Sequence, residues 1–351
     1  MDSPALTSRT RGSIFIVRRI DESAASSLRG ISYYNPAAPE ELLVKDFTPA
    51  YGIVPPLLTP FNEDKSIDWD AYERLIEWHI EKGVSGLFVV CGSSEYWQLT
   101  DEESIEMAKF AAKVAGDRIN ILAGSTKSPD DDLDRNIAIT KRMWEETGVK
   151  GCYITTPRKL PPEDDIMVEY HMKIHDAVEC PVYAYEMPGG TNYKFSPEAF
   201  AKIGQGERFI GIKDTTCDLE KVRKKIEAAK GSILIMEANT PNFLESLKLG
   251  SVGGINTSAN VEPGLFVMVY KLFQKGDLET AAELHKRVVK IDEMMSPGYV
   301  MTAKIAVSMM GVPVKHVMRN PSREITSERM EQLKEMVKFI EATEKEFAGT
   351  V

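Results

Sequence analysis

Two side chains in this chain are of types and in positions that could do covalent chemistry. Tyr185 and Lys213 each close a short apolar run, in Val-Tyr-Ala-Tyr185-Glu-Met-Pro and Phe-Ile-Gly-Ile-Lys213-Asp-Thr-Thr. Burial disfavours the charged form of a lysine, and a pKa lowered by about 3 units from ~10.4 corresponds to roughly 4 kcal/mol. The neutral amine that results can attack a carbonyl and form a Schiff base. The imine is an electron sink for making or breaking an adjacent C–C bond, and a tyrosine in reach can carry protons to and from the substrate oxygen. The competing reading makes Tyr185 ordinary core and lets Lys213 snorkel its ammonium to water.

The elements that would position the pair follow from the pattern around them. Eight short apolar runs, at 53–58, 86–90, 119–123, 151–154, 182–185, 209–213, 233–237 and 253–255, read as strands. Between them lie helical patterns at 68–82, 101–114, 130–147, 163–178, 196–203, 218–230 and 241–249, with an eighth at 263–275. Asp, Ser, Thr or Pro marks their starts. Such alternation calls for parallel strands joined by right-handed crossovers. Eight units predict an α/β fold, a (β/α)8 TIM barrel over 47–275. Three more helical stretches, 278–295, 299–310 and 327–347, predict a C-terminal helical domain over 276–351, supplying contact surface more than chemistry. The Met and Val content of 299–310 predicts burial there, against the barrel or another subunit. Barrel enzymes keep their chemistry at the C-terminal ends of the strands, where Tyr185 and Lys213 fall on the fifth and sixth. Alternation places Gly211 on the face of Lys213, where it would leave space for the long side chain.

Residues 1–46 differ from the rest, being rich in Arg and Ser, with arginines outnumbering acids over the first thirty. They read either as a poorly ordered N-terminal extension or as an organellar transit peptide. The whole chain has 351 residues, 43% hydrophobic and 27% charged, which predicts an ordinary soluble protein with a large core. A net charge of −10 argues against a nucleic-acid partner. No apolar run reaches the ~18 residues of a membrane span. Four scattered cysteines without CxxC spacing fit a reducing, cytoplasmic setting. His171 and His175 are four apart but lack the glutamate of the HExxH motif, so no metal is expected. Neither GxGxxG nor GxxxxGK[ST] occurs, and imine chemistry needs no cofactor.

Tyr-Glu-Met-Pro (185–188) and Gly-Ile-Lys-Asp (211–214), with 28 residues from Tyr to Lys, resemble the dihydrodipicolinate synthase and N-acetylneuraminate lyase family of Schiff-base class I aldolases. Leu-Thr-Pro-Phe (58–61), the stretch 86–95 with Leu99, Thr100 and Glu103 behind it, and Ser-Ala-Asn-Val-Glu-Pro (258–263) extend the resemblance over about 52–325. It implies Lys213 as the imine-forming residue, Tyr185 as the proton shuttle, and a pyruvate-like carboxylate held at Ser93 and Ser94. A hydroxyl with backbone N–H groups at a loop entering a helix makes sense independently as an anion site. The resemblance also implies a backbone carbonyl of Ile255 facing the site, and assembly as a homodimer or homotetramer. Glu95 is expected to bond the loop's backbone.

The departures matter as much. The family's first loop hydroxyl is replaced by Gly92, Lys159 stands where true dihydrodipicolinate synthases place a second relay tyrosine, and Gly190 stands where they carry an arginine for the aldehyde's carboxylate. Together these argue against dihydrodipicolinate synthesis while keeping the imine step. Arg158 and Lys159 could contact an acidic or polyhydroxylated distal part of the substrate, or help depress the Lys213 pKa; the competing reading is a solvated loop. Glu186 and Glu237 are carried as acid–base candidates. Tyr96 and Trp97 read as loop packing and Cys91 as a small buried residue. The expected reaction joins or cleaves C3–C4 of pyruvate or a 2-oxo-3-deoxy acid, with an aldehyde as second reactant. Dehydration of a sugar-derived 2-oxo-3-deoxy acid, and a non-catalytic ligand-binding barrel, remain as alternatives.

Overall fold

The computed structural model describes residues 50–126, 132–187, 193–296, 298–320 and 325–351. The N-terminal extension of residues 1–46 and its targeting role lie outside them. Among the described residues no helix is long and apolar enough to cross a membrane.

Eight parallel strands run in the order β1-β8-β7-β6-β5-β4-β3-β2. They are β1 (Gly52–Ile53), β2 (Gly86–Val89), β3 (Asn120–Gly124), β4 (Cys152–Thr155), β5 (Val182–Tyr185), β6 (Phe209–Asp214), β7 (Leu234–Glu237) and β8 (Gly253–Gly254). Helices α1 (Trp69–Glu81), α2 (Asp101–Ala115), α3 (Leu133–Thr147), α4 (Asp164–Ala177), α5 (Pro197–Ile203), α6 (Leu219–Ala229), α7 (Phe243–Leu249) and α8 (Pro263–Lys275) alternate with them. The result is a (β/α)8 barrel. Caps mark the starts as the sequence predicts: Asp68, Asp132, Ser196, Asp218 and Asp277 accept backbone N–H bonds, and Thr100 with Glu103 forms a reciprocal capping box.

The first strand is shorter than its apolar run. Pro55 and Pro56 have no N–H to give a ladder, so regular pairing stops at Ile53. The seam between β1 and β2 is instead bridged by single bonds, from Ser85 N to Ile53 O (2.9 Å), Leu57 N to Phe88 O (2.8 Å) and Phe88 N to Pro55 O (3.0 Å). At the other side of β1 the strands approach very closely. A Cβ on Gly253 would lie 2.0 Å from the Gly52 carbonyl oxygen.

Three further helices follow, α9 (Leu278–Met295), α10 (Tyr299–Met309) and α11 (Ser327–Glu346). Helix α9 packs on α8 and α11. Residues Thr302 to Val307 of α10 are buried within the chain itself, while Val300, Met301 and Met309 are half-buried and Tyr299 is exposed. The connection after α10 reaches back to the β2 end of the barrel, where the Arg319 guanidinium pairs with Glu103, holding its carboxyl down at about 2.

The contact at Gly253 yields a test. Gly253→Ala must push β8 from β1 at the closure, and overpacking of this kind costs about 1–3 kcal/mol. Urea unfolding is expected to show that loss, while Gly276→Ala, at a site open to solvent but with positive φ, reports backbone strain alone.

Candidate active site

Alternation along β6 sends Lys213 into the barrel and Asp214 outward, toward the helices. Lys213 pairs in register with Tyr185 of β5 and Met236 of β7. Its Nζ lies 3.5 Å from Tyr185 Oη, 4.6 Å from that ring's centre and 5.5 Å from the centre of Phe88. The amine is only 4% exposed, and among the described residues it forms no ion pair. Burial lowers its pKa to about 8, with the Lys194 ammonium pushing the same way and Cys91 opposing. Tyr185 is held well above the usual phenol range, chiefly by burial, although the Gly92 backbone N–H favours its ionised form.

The glycine below Lys213 does a different job from the one expected. A Cβ on Gly211 would sit 3.0 Å from the Tyr183 ring and 3.2 Å from the Leu234 carbonyl. The space at Gly211 is therefore taken by Tyr183, whose ring packs on Tyr153, which in turn packs on Phe88, forming the aromatic floor under the amine.

A cavity of about 340 Å3 opens above this floor. The loop after β2 gives it Gly92, Ser93 and Trp97; the ends of β5 and β6 give Tyr185 and Lys213, with Thr215 beyond. A Cβ at Gly92 would stand 3.4 Å from Tyr185 Oη, so the missing hydroxyl would have been a direct neighbour of the tyrosine. Ser93 lines the cavity but Ser94 does not. Ser94 is fully buried, its hydroxyl donating to Leu57 O (2.6 Å) and accepting from Cys91 N (3.1 Å). Ser94 thus braces the loop and has no hydroxyl face toward the cavity, which corrects its place in the expected carboxylate site. Ile255 is buried behind the lining, its N–H donating to Glu237 O (2.8 Å). Lys159 is exposed at the end of β4 and is not part of the cavity wall, and neither is Arg158. Gly190 lies outside the described residues.

The cation beside Lys213 is instead Lys194. It is half-buried, donates to Thr215 Oγ1 (2.7 Å), and its own pKa is lowered by burial. Nothing in the local sequence marks Lys194, since it stands in a connection with no periodic pattern.

Glu186 and Glu237 occupy the opposite side of the strand ends. Asp214 pairs in register with Glu237, so both point away from Lys213. Behind β5 and β6, Lys225 of α6 reaches Glu186 (2.8 Å) and Asp214 (2.7 Å), all three fully buried. Burial works against ionising Asp214, but Lys225 outweighs it and keeps that carboxyl below its usual range. Burial raises Glu186 despite Lys225, and raises Glu237 to about 7. Glu186 and Asp214 lock the strand ends to α6, Glu237 accepts from the Asn239 N–H, and none of the three faces the cavity.

The C-terminal helices contribute more than contact surface. Asp292 of α9 and Tyr299 and Val300 of α10 form part of the cavity wall. Lys304 of α10, fully buried, donates to Glu95 Oε1 (2.6 Å), and the Arg319 N–H donates to Glu95 Oε2 (3.1 Å). Glu95 sits at φ 55, a left-handed conformation disfavoured for a residue with a Cβ. The expected structural role of Glu95 therefore operates across the chain, to α10 and its following segment, and fixes the loop that carries Gly92 and Ser93.

Comparison with known proteins places this geometry in context. Residues 49–340 match the dihydrodipicolinate synthetase family. A 4-hydroxy-tetrahydrodipicolinate synthase from Thermodesulfovibrio yellowstonii is 30% identical over 287 residues, 80% of this chain and 95% of that protein. A probable 2-dehydro-3-deoxy-D-pentonate aldolase from Escherichia coli is 28% identical over 290 residues, 80% of this chain and 94% of the relative. Among solved structures, a prophage protein of the dihydrodipicolinic acid synthase family from Escherichia coli, in complex with pyruvate, superposes with a TM-score of 0.77 at 26% identity, covering 83% of this chain and 98% of the other.

The buried triad is open to a direct test. Lys225→Met leaves two carboxyls buried without their cation, and breaking a buried pair from one side costs about 3–5 kcal/mol. Chemical denaturation is expected to show a loss of that size, against a much smaller one for the exposed Lys221→Met.

Proposed function

This chain belongs to the dihydrodipicolinate synthetase family of lyases, and on that premise we propose that it is a Schiff-base lyase of class I aldolase type. It acts on pyruvate or a longer 2-oxo acid, making or breaking the C3–C4 bond. The observation that carries the proposal is the Lys213 amine, buried with no acid partner among the described residues and 3.5 Å from Tyr185 Oη at the floor of a cavity.

In this reading the neutral amine attacks C2 of the 2-oxo acid, and the carbinolamine loses water to give the imine. The imine withdraws electrons from C3, whose proton leaves to give an enamine. The enamine adds to an aldehyde carbonyl, forming the C3–C4 bond, and water then hydrolyses the imine to release product and amine. Cleavage is the reverse. Tyr185 carries the proton to and from the substrate oxygens, helped by the Gly92 backbone N–H that steadies its phenolate. The substrate carboxylate is held at Ser93 and the backbone of its loop.

Dihydrodipicolinate synthesis is disfavoured by Gly92, which offers Tyr185 no hydroxyl, and by Lys159, which stands off the cavity. The dehydratase alternative uses the same imine but requires an acid at the C4 hydroxyl, and Asp292 is the carboxyl on the cavity wall. A lactate dehydrogenase couple separates the two, because only C3–C4 cleavage releases pyruvate. Assembly as a homodimer or homotetramer and a cytoplasmic location are part of the proposal; light scattering tests the first.

Borohydride trapping with pyruvate, followed by peptide mass mapping, is expected to modify Lys213, and no adduct with pyruvate or other 2-oxo acids would overturn the proposal. The neutral fraction of an amine with pKa about 8 rises as pH rises through that value. Trapping at saturating pyruvate should therefore speed up toward pH 8 and level off above it. Lys194→Met removes a neighbouring positive charge, raises the Lys213 pKa and should move the profile to higher pH. Tyr185→Phe is expected to slow turnover by about 10²–10⁴-fold, the usual worth of a positioned proton carrier.

A further inference from the structure

The wall opposite the β2 loop is built from β7, β8 and the C-terminal helices, and its chemistry differs from that of the floor. Asp292 is the one carboxylate, and Lys213 the one cation, among the described residues that line the cavity. Asp292 is half-buried, and its Oδ1 accepts a hydrogen bond from Thr240 Oγ1 at 3.2 Å. Thr240 Oγ1 also lies 3.0 Å from Ser258 Oγ, and the Thr240 carbonyl meets His285 Nε2 at 2.9 Å. The carboxyl is thus held in place by a polar network that joins the barrel to α9. Behind it Glu262 is wholly buried, and its carboxyl oxygens have no geometric hydrogen-bond partner. Burial raises both acids above their usual range, each reinforced by a neighbouring carboxyl.

We propose that Asp292 is a specificity-determining residue that takes up a hydroxyl group on the part of the substrate distal to the imine. Three features point to a hydroxylated chain over one ending in a second carboxylate. The wall carries no cation to receive an anion. Its one carboxyl, Asp292, repels a second carboxylate when ionised. A carboxyl oriented by Thr240 still offers oxygens to a hydroxyl donor, and Asn239 and Thr257 beside it add neutral polar groups. A site built to hydrogen-bond a hydroxyl discriminates strongly against the analogue without it, since its polar groups are then left unpaired.

This inference rests on imine formation at Lys213, so the experiment reads that event with two 2-oxo acids of equal chain length. Lys213 is trapped with borohydride across concentrations of 2-oxo-3-deoxygluconate, whose distal carbons carry hydroxyls, and of 2-oxohexanoate, whose distal carbons carry none. The wild type should reach half-maximal modification at a lower concentration of the hydroxylated acid. Asp292→Ala should reduce that preference by about tenfold or more, as loss of a hydrogen bond to an ionisable group does. Asp292→Asn, which keeps the shape and a hydrogen-bonding group, should retain part of it and shows that the effect is not collapse of the wall. A wild type without preference, or a preference that survives Asp292→Ala within about twofold, overturns the role of Asp292. If pyruvate modifies Lys213 in the same protein, the lyase proposal stands through that failure; if no acid modifies it, both fall.

Discussion

A protein interior tolerates an ammonium group only when something repays the loss of water, and this fold answers that constraint in two opposite ways. Three lysines are buried among the described residues. Lys225 is met by Glu186 and Asp214, which hold its pKa above the usual lysine value, and Lys304 by Glu95, which offsets part of the lowering that burial imposes. Lys213 receives aromatic faces and a phenol but no acid, and the response open to it is to give up its proton more readily. Lys213 is distinguished from the paired lysines by what its surroundings withhold.

The two kinds of lysine are separated by the thickness of a strand. Because successive side chains point to opposite faces, Lys213 and Asp214 can be adjacent in the chain and belong to different electrostatic worlds. Asp214, Glu186 and Glu237 all lie on the helix side, where Lys225 pairs with the first two. Had one of those carboxyls faced the cavity, it would have paired with the Lys213 ammonium and raised its pKa. The outward triad therefore also keeps negative charge away from the Lys213 amine, which the proposed imine chemistry needs neutral.

Much of this was legible from the chain alone, because it depends on local pattern. Strand and helix alternation set the barrel, caps such as Thr100 with Glu103 set helix starts, and the apolar runs before Tyr185 and Lys213 set that pair side by side at the strand ends. The alternation rule would also have turned Glu186 and Glu237 away from the cavity had it been applied one residue further. Lys225 left a signal as well: it falls in the buried stripe of α6 with Val222 and Ala229, where a solvated lysine does not belong. The remaining features arise from contacts between distant segments. Ser94 is turned inward by Leu57, Gly211 yields to Tyr183 on the next strand, and Asp292 enters the cavity from a helix beyond the barrel. No periodicity in the chain encodes those meetings.

The bond between Lys304 and Glu95 spans 209 residues of chain, and the Arg319 contact to the same carboxyl spans 224. A ribosome making this protein releases Tyr185 and Lys213 well before it has synthesised α10. Until that helix docks, the turn at Glu95 lacks its counter-ion and the cavity lacks the wall carrying Tyr299. The eight strands could pair in a shorter nascent chain, yet the pocket above the amine is completed only by the last sixth or so of translation. Completion of the cavity is thus tied to synthesis of nearly the entire chain, and a truncated product would carry Lys213 in an unfinished pocket.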